Sequence, residues 1–239
     1  MFRFQRFSIA DDRCGMKVGI DGVLRGAWAD VYGAARILDI GTGSGLLALM
    51  LAQRSETLKA QIDAVEIDPE AAQQASENVS QSPWSDRIRV MREDISVFAA
   101  RDSIHARDYD LIVCNPPFFL DDLESEKKAE RTARHSTRRF RQSLVNSART
   151  LLGAEGKLSL VLPASQCNEL VDAAKNLGLH VSRLTWVNPL PKRPFHRVLI
   201  ELARHESEPL VQEMTIETRH HEFSPQFAEL TRNFYLRFA

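Results

Sequence analysis

The stretch from Arg36 to Arg54 constrains the chain more than any other. Arg36-Ile-Leu-Asp-Ile40 is a short apolar run, Gly41-Thr-Gly43-Ser-Gly45 breaks it with alternate glycines, and Leu46 to Arg54 carries apolar residues at helical spacing. Glycines between a strand and a helix let the backbone turn sharply and approach a ligand at the helix N-terminus. Taken alone the loop reads equally as a plain structural turn, so its context decides.

That context is a series of strand–helix units, the pattern of a parallel sheet in an α/β fold. Gln61 to Glu66 reads as the second strand, and Asp68-Pro69 as the cap and first position of the next helix. Strands follow at Arg87–Met91, Tyr109–Cys114 and Gly156–Leu162, with helices at Ile95–Ala100, up to Leu152, and at Ser165–Leu177. The last two strands, near His180–Val187 and Phe195–Ala203, have only a proline-rich connection between them and so predict an antiparallel hairpin. The whole chain, 1–239, is read as one domain, with 1–34 as an N-terminal leader and 205–239 as a C-terminal appendage.

Composition excludes several classes. Three scattered cysteines without a CxxC pair rule out a disulfide framework or a cysteine zinc site, and no metal is expected. No run approaches the ~18 apolar residues of a membrane helix, and Met1 to Phe7 has no apolar core of a secretory signal, so the chain is read as cytoplasmic. A net charge of -1 means that any nucleic acid must be held by a local patch.

Glu66 ends the second strand about 20 positions past the last glycine, where an acid binds ribose hydroxyls beside a glycine loop. Leu46 stands where a dinucleotide fingerprint has its third glycine, and no Gly-Lys-Ser/Thr ending is present for a triphosphate. The order Asp39-x-Gly41-x-Gly43-x-Gly45 resembles motif I of class I S-adenosylmethionine-dependent methyltransferases. That resemblance implies a Rossmann-like, seven-stranded, mostly parallel sheet with an antiparallel C-terminal hairpin strand and helices on both faces. It implies S-adenosylmethionine as cofactor, Asp39 at its amino-acid end, Glu66 on its ribose and Asp94 on its adenine. Asp94 reads equally as a helix N-cap. Gly41, Thr42, Gly43, Gly45, Ile67 and Ile95 complete the implied pocket with Asn115.

Asn115-Pro116-Pro117-Phe118 ends the fourth strand, whose carboxyl end faces the ligand crevice of an open α/β sheet. Both prolines fix φ, and a stiff turn can preplace the Asn115 amide oxygen and the Pro116 carbonyl as two acceptors. An exocyclic NH2 donating to both would have its lone pair drawn out of conjugation and aimed at a methyl group. Phe118 can stack on a flat acceptor. The turn resembles the [NDS]-P-P-[FYW] motif of amino-methyltransferases. Cys114 reads as a buried strand residue and not as a nucleophile.

Basic residues crowd the following stretch: Lys127, Lys128, Arg131, Arg134, Arg138, Arg139 and Arg141. Lys192 and Arg193 lie in the proline-rich loop with Phe195, His196 and Arg197. Either group is a solvated face or an RNA contact. Phe2 to Phe7, Asp12 to Trp28, Ala64 to Asp68, Asn78 to Arg87, Asn115 to Phe118, Arg131 to His135 and the ending Phe223-Ser-Pro-Gln-Phe with Tyr235-Leu-Arg-Phe238 resemble the bacterial valine-tRNA adenine-37 N6-methyltransferases. Membership implies an enzyme that methylates N6 of adenosine-37 in the tRNA anticodon loop; the chain is read separately as a monomer without membrane attachment. It also implies a leader folded over the cofactor, with Lys17, Gly19 and Asp21 lining the pocket. Phe118 departs from the tyrosine that relatives often carry, which removes a hydroxyl and keeps the stack. The alternatives are a glutamine-amide protein methyltransferase, a ribosomal RNA base amino-methyltransferase and a non-catalytic cofactor-binding module.

Overall fold

The computed structural model describes residues 1–101, 109–116 and 140–238. Pro117, Phe118, Lys127, Lys128, Arg131, Arg134, Arg138 and Arg139 therefore lie outside the described residues. Two short strands, β1 (Phe2–Arg3) and β2 (Ser8–Ile9), pair antiparallel and lead into helix α1 (Ile20–Trp28). The βα series then runs β3 (Arg36–Ile40), α2 (Leu46–Arg54), β4 (Gln61–Glu66), α3 (Pro69–Ser80), β5 (Ile88–Arg92), α4 (Ile95–Ala99) and β6 (Tyr109–Cys114). Helix α5 spans 140–151, followed by β7 (Leu152–Pro163), α6 (Cys167–Lys175), β8 (His180–Asn188) and β9 (Arg197–Ala203). The chain ends in β10 (Leu210–Thr215), a small hairpin of β11 (Glu217–Arg219) and β12 (Glu222–Phe223), and α7 (Pro225–Thr231).

The central sheet has the order β10-β8-β9-β7-β6-β3-β4-β5. Strand β9 runs antiparallel to both neighbours, as expected from the missing crossover helix. Among the described residues the sheet has eight strands, one more than the expected seven. Residues read as a loose appendage supply β10, which pairs parallel to β8 from Leu210↔Arg183 to Thr215↔Asn188. Four of its six side chains are exposed, and Met214 near its end packs on the apolar cluster beneath α7, so it lacks the apolar signature of the other strands. Strand β7 starts at Leu152 and not at Gly156. Tyr109 pairs with Leu152 but Leu111 pairs with Lys157, so the intervening residues bulge out of register.

Each inner strand divides its side chains between two layers with period two. Leu38, Ile40, Ile112, Cys114, Leu158, Leu160, Ile200 and Leu202 face the layer that holds α4, α5 and α6. Ile37, Leu111 and Val113 face the layer of α1, α2 and α3. Helix α1 lies close on α2, because Gly22 and Gly26 share one face four residues apart. A Cβ on Gly26 would sit 2.6 Å from Met50 Sδ, and one on Gly22 would sit 2.9 Å from Leu46 Cδ2. A third apolar cluster joins Leu24 and Trp28 of α1 to Val161, Val187, Leu199 and Phe227 of α7.

Candidate functional site

The glycine loop and the turn after β6 meet at the carboxyl ends of the central strands. Gly41, Gly43 and Gly45 all take positive φ, at 67°, 57° and 84°, a region that side chains disfavour. Nothing lies within 4 Å of a Cβ built on Gly41 or Gly43, so both face open space, whereas Gly45 abuts Ala75 of α3. The loop is pinned from below. The N–H groups of Gly41 and Thr42 donate to the Val65 carbonyl at 2.8 and 3.1 Å, and the Gly43 N–H donates to Glu66 Oε2 at 2.9 Å.

A cleft of about 250 Å3 opens over this loop. One wall is the leader, Met16 to Gly22 with Lys17, Gly19 and Asp21. The other is Gly41, Thr42, Gly43, Ser44, Leu46 and Leu47, with Asn115 at the end. The expected leader residues and the loop thus share one cavity. The Lys17 ammonium donates to the Asp11 carbonyl at 2.7 Å, and the Val18 N–H donates to Asp11 Oδ2 at 2.9 Å.

Asp39 lies beneath the loop and is fully buried. The Thr42 hydroxyl donates to its Oδ2 at 2.6 Å, and Oδ1 has no partner. Burial pushes its carboxyl up to about 7, against the opposing pull of the Thr42 hydrogen bond. Glu66, nearly buried, accepts from Gly43 N and, through Oε1, from Asp68 N at 3.0 Å. A carboxylate offers about four lone-pair sites, so capacity for hydroxyl donors remains.

Asp94 sits at the end of the neighbouring strand β5, tied there by the Glu93 N–H to the Glu66 carbonyl at 2.9 Å. It caps α4 by accepting from Ser96 N at 2.7 Å, and the Ser96 hydroxyl and backbone hold its carboxyl below the usual range. The cap bonds from Ser96 both fall on Oδ1, so one side chain can serve the helix and still present its other oxygen. Ile95 is buried, while Ile67 is 63% exposed at the carboxyl end of β4. None of Asp39, Glu66, Ile67, Asp94 or Ile95 lines the cleft directly. They lie under it or along the adjoining strand ends.

Asn115 and Pro116 close the far side. The Asn115 Oδ1 is buried without a partner, an acceptor held out of water and unused by the fold. Cys114 is buried, and burial pushes its thiol up, away from the thiolate form a nucleophile needs. Lys192 and Arg193 are exposed. Val187 and Pro163 both pair with Arg197, which puts the 189–196 loop at the same end of the sheet as Asn115. There the Arg197 guanidinium bonds Asp21 of the cleft at 2.8 Å, and Phe195 packs on Trp186 with centroids 5.7 Å apart. Arg141 instead pairs with Gln166 and Glu169 beside α6.

Three features escaped the sequence reading. Gln74 and Asn78, four apart on α3 and buried, clasp the leader. Asn78 accepts from Ala10 N and donates to the carbonyls of Ala10 and Ser44 at 2.7 and 2.8 Å. Gln74 accepts from Arg13 N and the Cys14 thiol and donates to Asp12. The third is Arg25 of α1, fully buried. A glycine pair at i and i+4 around Arg25 and polar residues at i and i+4 in an alanine-rich helix were the available signals.

Among the described residues, no group of three or more His, Cys, Asp or Glu could hold a metal, and no helix is long and apolar enough to cross a membrane. A model of the methyltransferase small domain matches residues 29–174. A tRNA1(Val) (adenine(37)-N6)-methyltransferase of Trichodesmium erythraeum is 46% identical over 99% of this chain and 98% of that protein. One of Parabacteroides distasonis is 42% identical over the same shares. A solved structure of a predicted O-methyltransferase from Agrobacterium tumefaciens overlays with a TM-score of 0.67 at 21% identity, covering 90% of this chain and 96% of that one.

Proposed function

Since the chain belongs to the tRNA1(Val) (adenine(37)-N6)-methyltransferase family, we propose that it methylates N6 of adenosine-37 in valine tRNA with S-adenosylmethionine. The observation that carries the reading is the cleft that puts the open glycine loop and Asn115, whose Oδ1 is buried and unpartnered, on one cavity. The residues fit the cofactor: Gly41 and Gly43 leave space where side chains would intrude, and the Asp39 Oδ1 and Asn115 Oδ1 are buried acceptors awaiting donors. In this reading Asp39 holds the amino-acid end, Glu66 the ribose and Asp94 the adenine, while Lys17 and its leader cover the site.

The bound cofactor supplies an electrophilic methyl on a sulfonium, already a good leaving group. Asn115 Oδ1 and the Pro116 carbonyl accept the two N6 hydrogens, which turns the nitrogen lone pair out of the adenine ring. Their contribution is orientation and preorganised dipoles, with no strong base needed. The amino proton leaves to solvent after transfer. Lys192 and Arg193, exposed in the loop at the same end of the sheet, contact phosphate. A base in an anticodon loop is presented at less unstacking cost than one in a duplex. In this reading the enzyme works as a monomer in the cytoplasm, where its tRNA substrate is.

The test uses unmodified valine tRNA, the purified protein and labelled S-adenosylmethionine, with digestion and mass separation of nucleosides. N6-methyladenosine confined to the position-37 fragment is expected. Label in a protein glutamine or in another base would refute the acceptor and keep the cofactor.

A further inference from the structure

Three Phe, Tyr or Trp side chains among the described residues are exposed: Phe2, Tyr32 and Phe195. Phe2 packs on Phe4 and Tyr235 where the two chain ends meet, and Tyr32 precedes β3, at the end of the sheet away from the cleft. Phe195 stands at the cleft's end, in the connection between β8 and β9. Two residues on, the Arg197 guanidinium reaches Asp21 of the cleft wall at 2.8 Å. Strand β9 is two strands from β6, so the connection rises about 10 Å to the side of the strand that ends in Asn115.

The connection is pinned at both ends. The His196 N–H donates to the Val187 carbonyl at 2.9 Å and the Ala164 N–H to the His196 carbonyl at 3.1 Å. The N–H groups of Ile216 and Glu217 donate to the carbonyls of Asn188 and Pro189, both at 3.0 Å. Between these ties a turn closes from the Arg193 N–H to the Leu190 carbonyl at 3.2 Å, with Pro191 second and Lys192 third. Lys192 takes a φ of 64° there, where glycine or asparagine is favoured and a lysine is strained. Pro189, Pro191 and Pro194 fix φ at three more positions. The turn holds Lys192 and Arg193 exposed at its tip with Phe195 and His196 exposed behind them, and the run from Pro189 to Arg197 contains no acid.

Phe195 is 37% exposed and packs on Trp186, with ring centres 5.7 Å apart and planes inclined by 36°. Trp186 is half-buried and rests on the apolar cluster that includes α5 and α6, so the pair is anchored from below. We propose that Phe195, backed by Trp186, is a stacking platform for an unpaired nucleobase beside the adenosine that is methylated, with Lys192 and Arg193 on the adjoining phosphates. The proposal rests on the reading of the substrate as an RNA loop. Single-stranded RNA is gripped by aromatic faces set among cations, which is the combination this rigid turn presents. Holding the neighbouring base to one side of Asn115 leaves the target free to turn into the cleft.

The experiment measures binding of an end-labelled anticodon stem-loop of valine tRNA to the whole chain saturated with S-adenosylhomocysteine. The stem-loop is used intact and with an abasic nucleotide on one side or the other of adenosine-37. Phe195→Leu, which keeps an apolar cover over Trp186, is expected to bind the intact RNA about tenfold more weakly, and Phe195→Tyr to bind it as the unaltered protein does. An abasic neighbour on one side should cost the unaltered protein a similar factor and the Phe195→Leu protein little, because both changes remove one contact. Equal abasic losses in the two proteins at both positions overturn the platform, as does undiminished binding by Phe195→Leu; the ring then covers Trp186 or meets another kind of partner. The salt slope should not change in Phe195→Leu, since no phosphate contact is lost. A lowered slope would trace the loss to displaced cations and overturn the proposal, and so would a parallel loss of S-adenosylhomocysteine affinity, which would make the ring structural. If the unaltered protein binds the stem-loop with no abasic penalty on either side, the platform fails and the tRNA reading stands; if it binds no RNA, both fail.

Discussion

At the scale of single residues the site is a set of polar groups that the fold keeps hungry. Asn115 Oδ1 and Asp39 Oδ1 are buried and unpartnered, a cost that a folded chain normally removes. Asn115→Ala is expected to lower kcat by about 10²–10³ while S-adenosylhomocysteine affinity changes little, since it removes only an acceptor for the reacting amine. Loss of cofactor affinity in parallel would put Asn115 in the cofactor subsite instead. Asp39 yields a pH prediction. Its carboxyl is raised to about 7 without ligand, so a neutral acid prevails below that pH and an anion above it. Cofactor affinity should fall as pH drops through about 7, read by titration calorimetry, and Asp39→Asn should flatten the curve at the weak end. A pH-independent affinity in the unaltered protein would contradict the assignment.

Among the elements, the leader decides whether the glycine loop is half of a cleft or an open surface. It carries little regular structure of its own before α1, and α3 holds it through side-chain amides. Asn78→Ala strands the Ala10 and Ser44 carbonyls and the Ala10 N–H, with a stability cost of about 1–3 kcal/mol. The expected kinetic result is a raised KM for S-adenosylmethionine with nearly unchanged kcat, and faster hydrogen exchange in residues 8–20. Equal protection of the leader in both proteins would mean that other contacts hold it. Helix α3 itself rests on Asp68, which accepts from Glu70 N and Ala71 N at 3.0 and 2.8 Å with Pro69 at the first position. Asp68→Ala should cost about 1 kcal/mol in a thermal melt.

For the whole molecule, the last 35 or so residues are part of the core in the sense of burying it. Phe227 is fully buried against Leu24, Trp28 and Leu199, and Gln5 donates to the carbonyls of Arg232 and Tyr235, so both ends of the chain lock together. Phe227→Ala should cost about 3–5 kcal/mol, seen in denaturant unfolding. A chain cut after Arg204 should not fold into a soluble protein, since it would expose the Trp28 and Leu199 face. A stable truncated protein that had lost only tRNA affinity would restore the appendage reading. On the outer surface, Lys192→Ala with Arg193→Ala should weaken tRNA binding and lower its salt slope by about 1 for each phosphate no longer neutralised. An unchanged slope would make these two residues a solvated face.

Much of this protein is legible in the order of its residues, because local physics writes it there. Short apolar runs place β3, β4 and β6 at the observed bounds, alternate glycines mark the loop where three residues take positive φ, and Asp68-Pro69 announces α3. The same holds for Asn115-Pro116, whose stiffness is a property of two neighbouring residues. Unread were the features that depend on distant neighbours. Ser159 and Glu201 are single polar interruptions in apolar strands, meaningless until register sets them side by side and α1 lowers Arg25 onto Ser159. Strand β10 puts little more than Met214 on the core and owes its existence to the free edge of β8. Whether a buried charge is a fault or a device is settled by which opposite charge the fold brings to it, and only packing in three dimensions makes that choice.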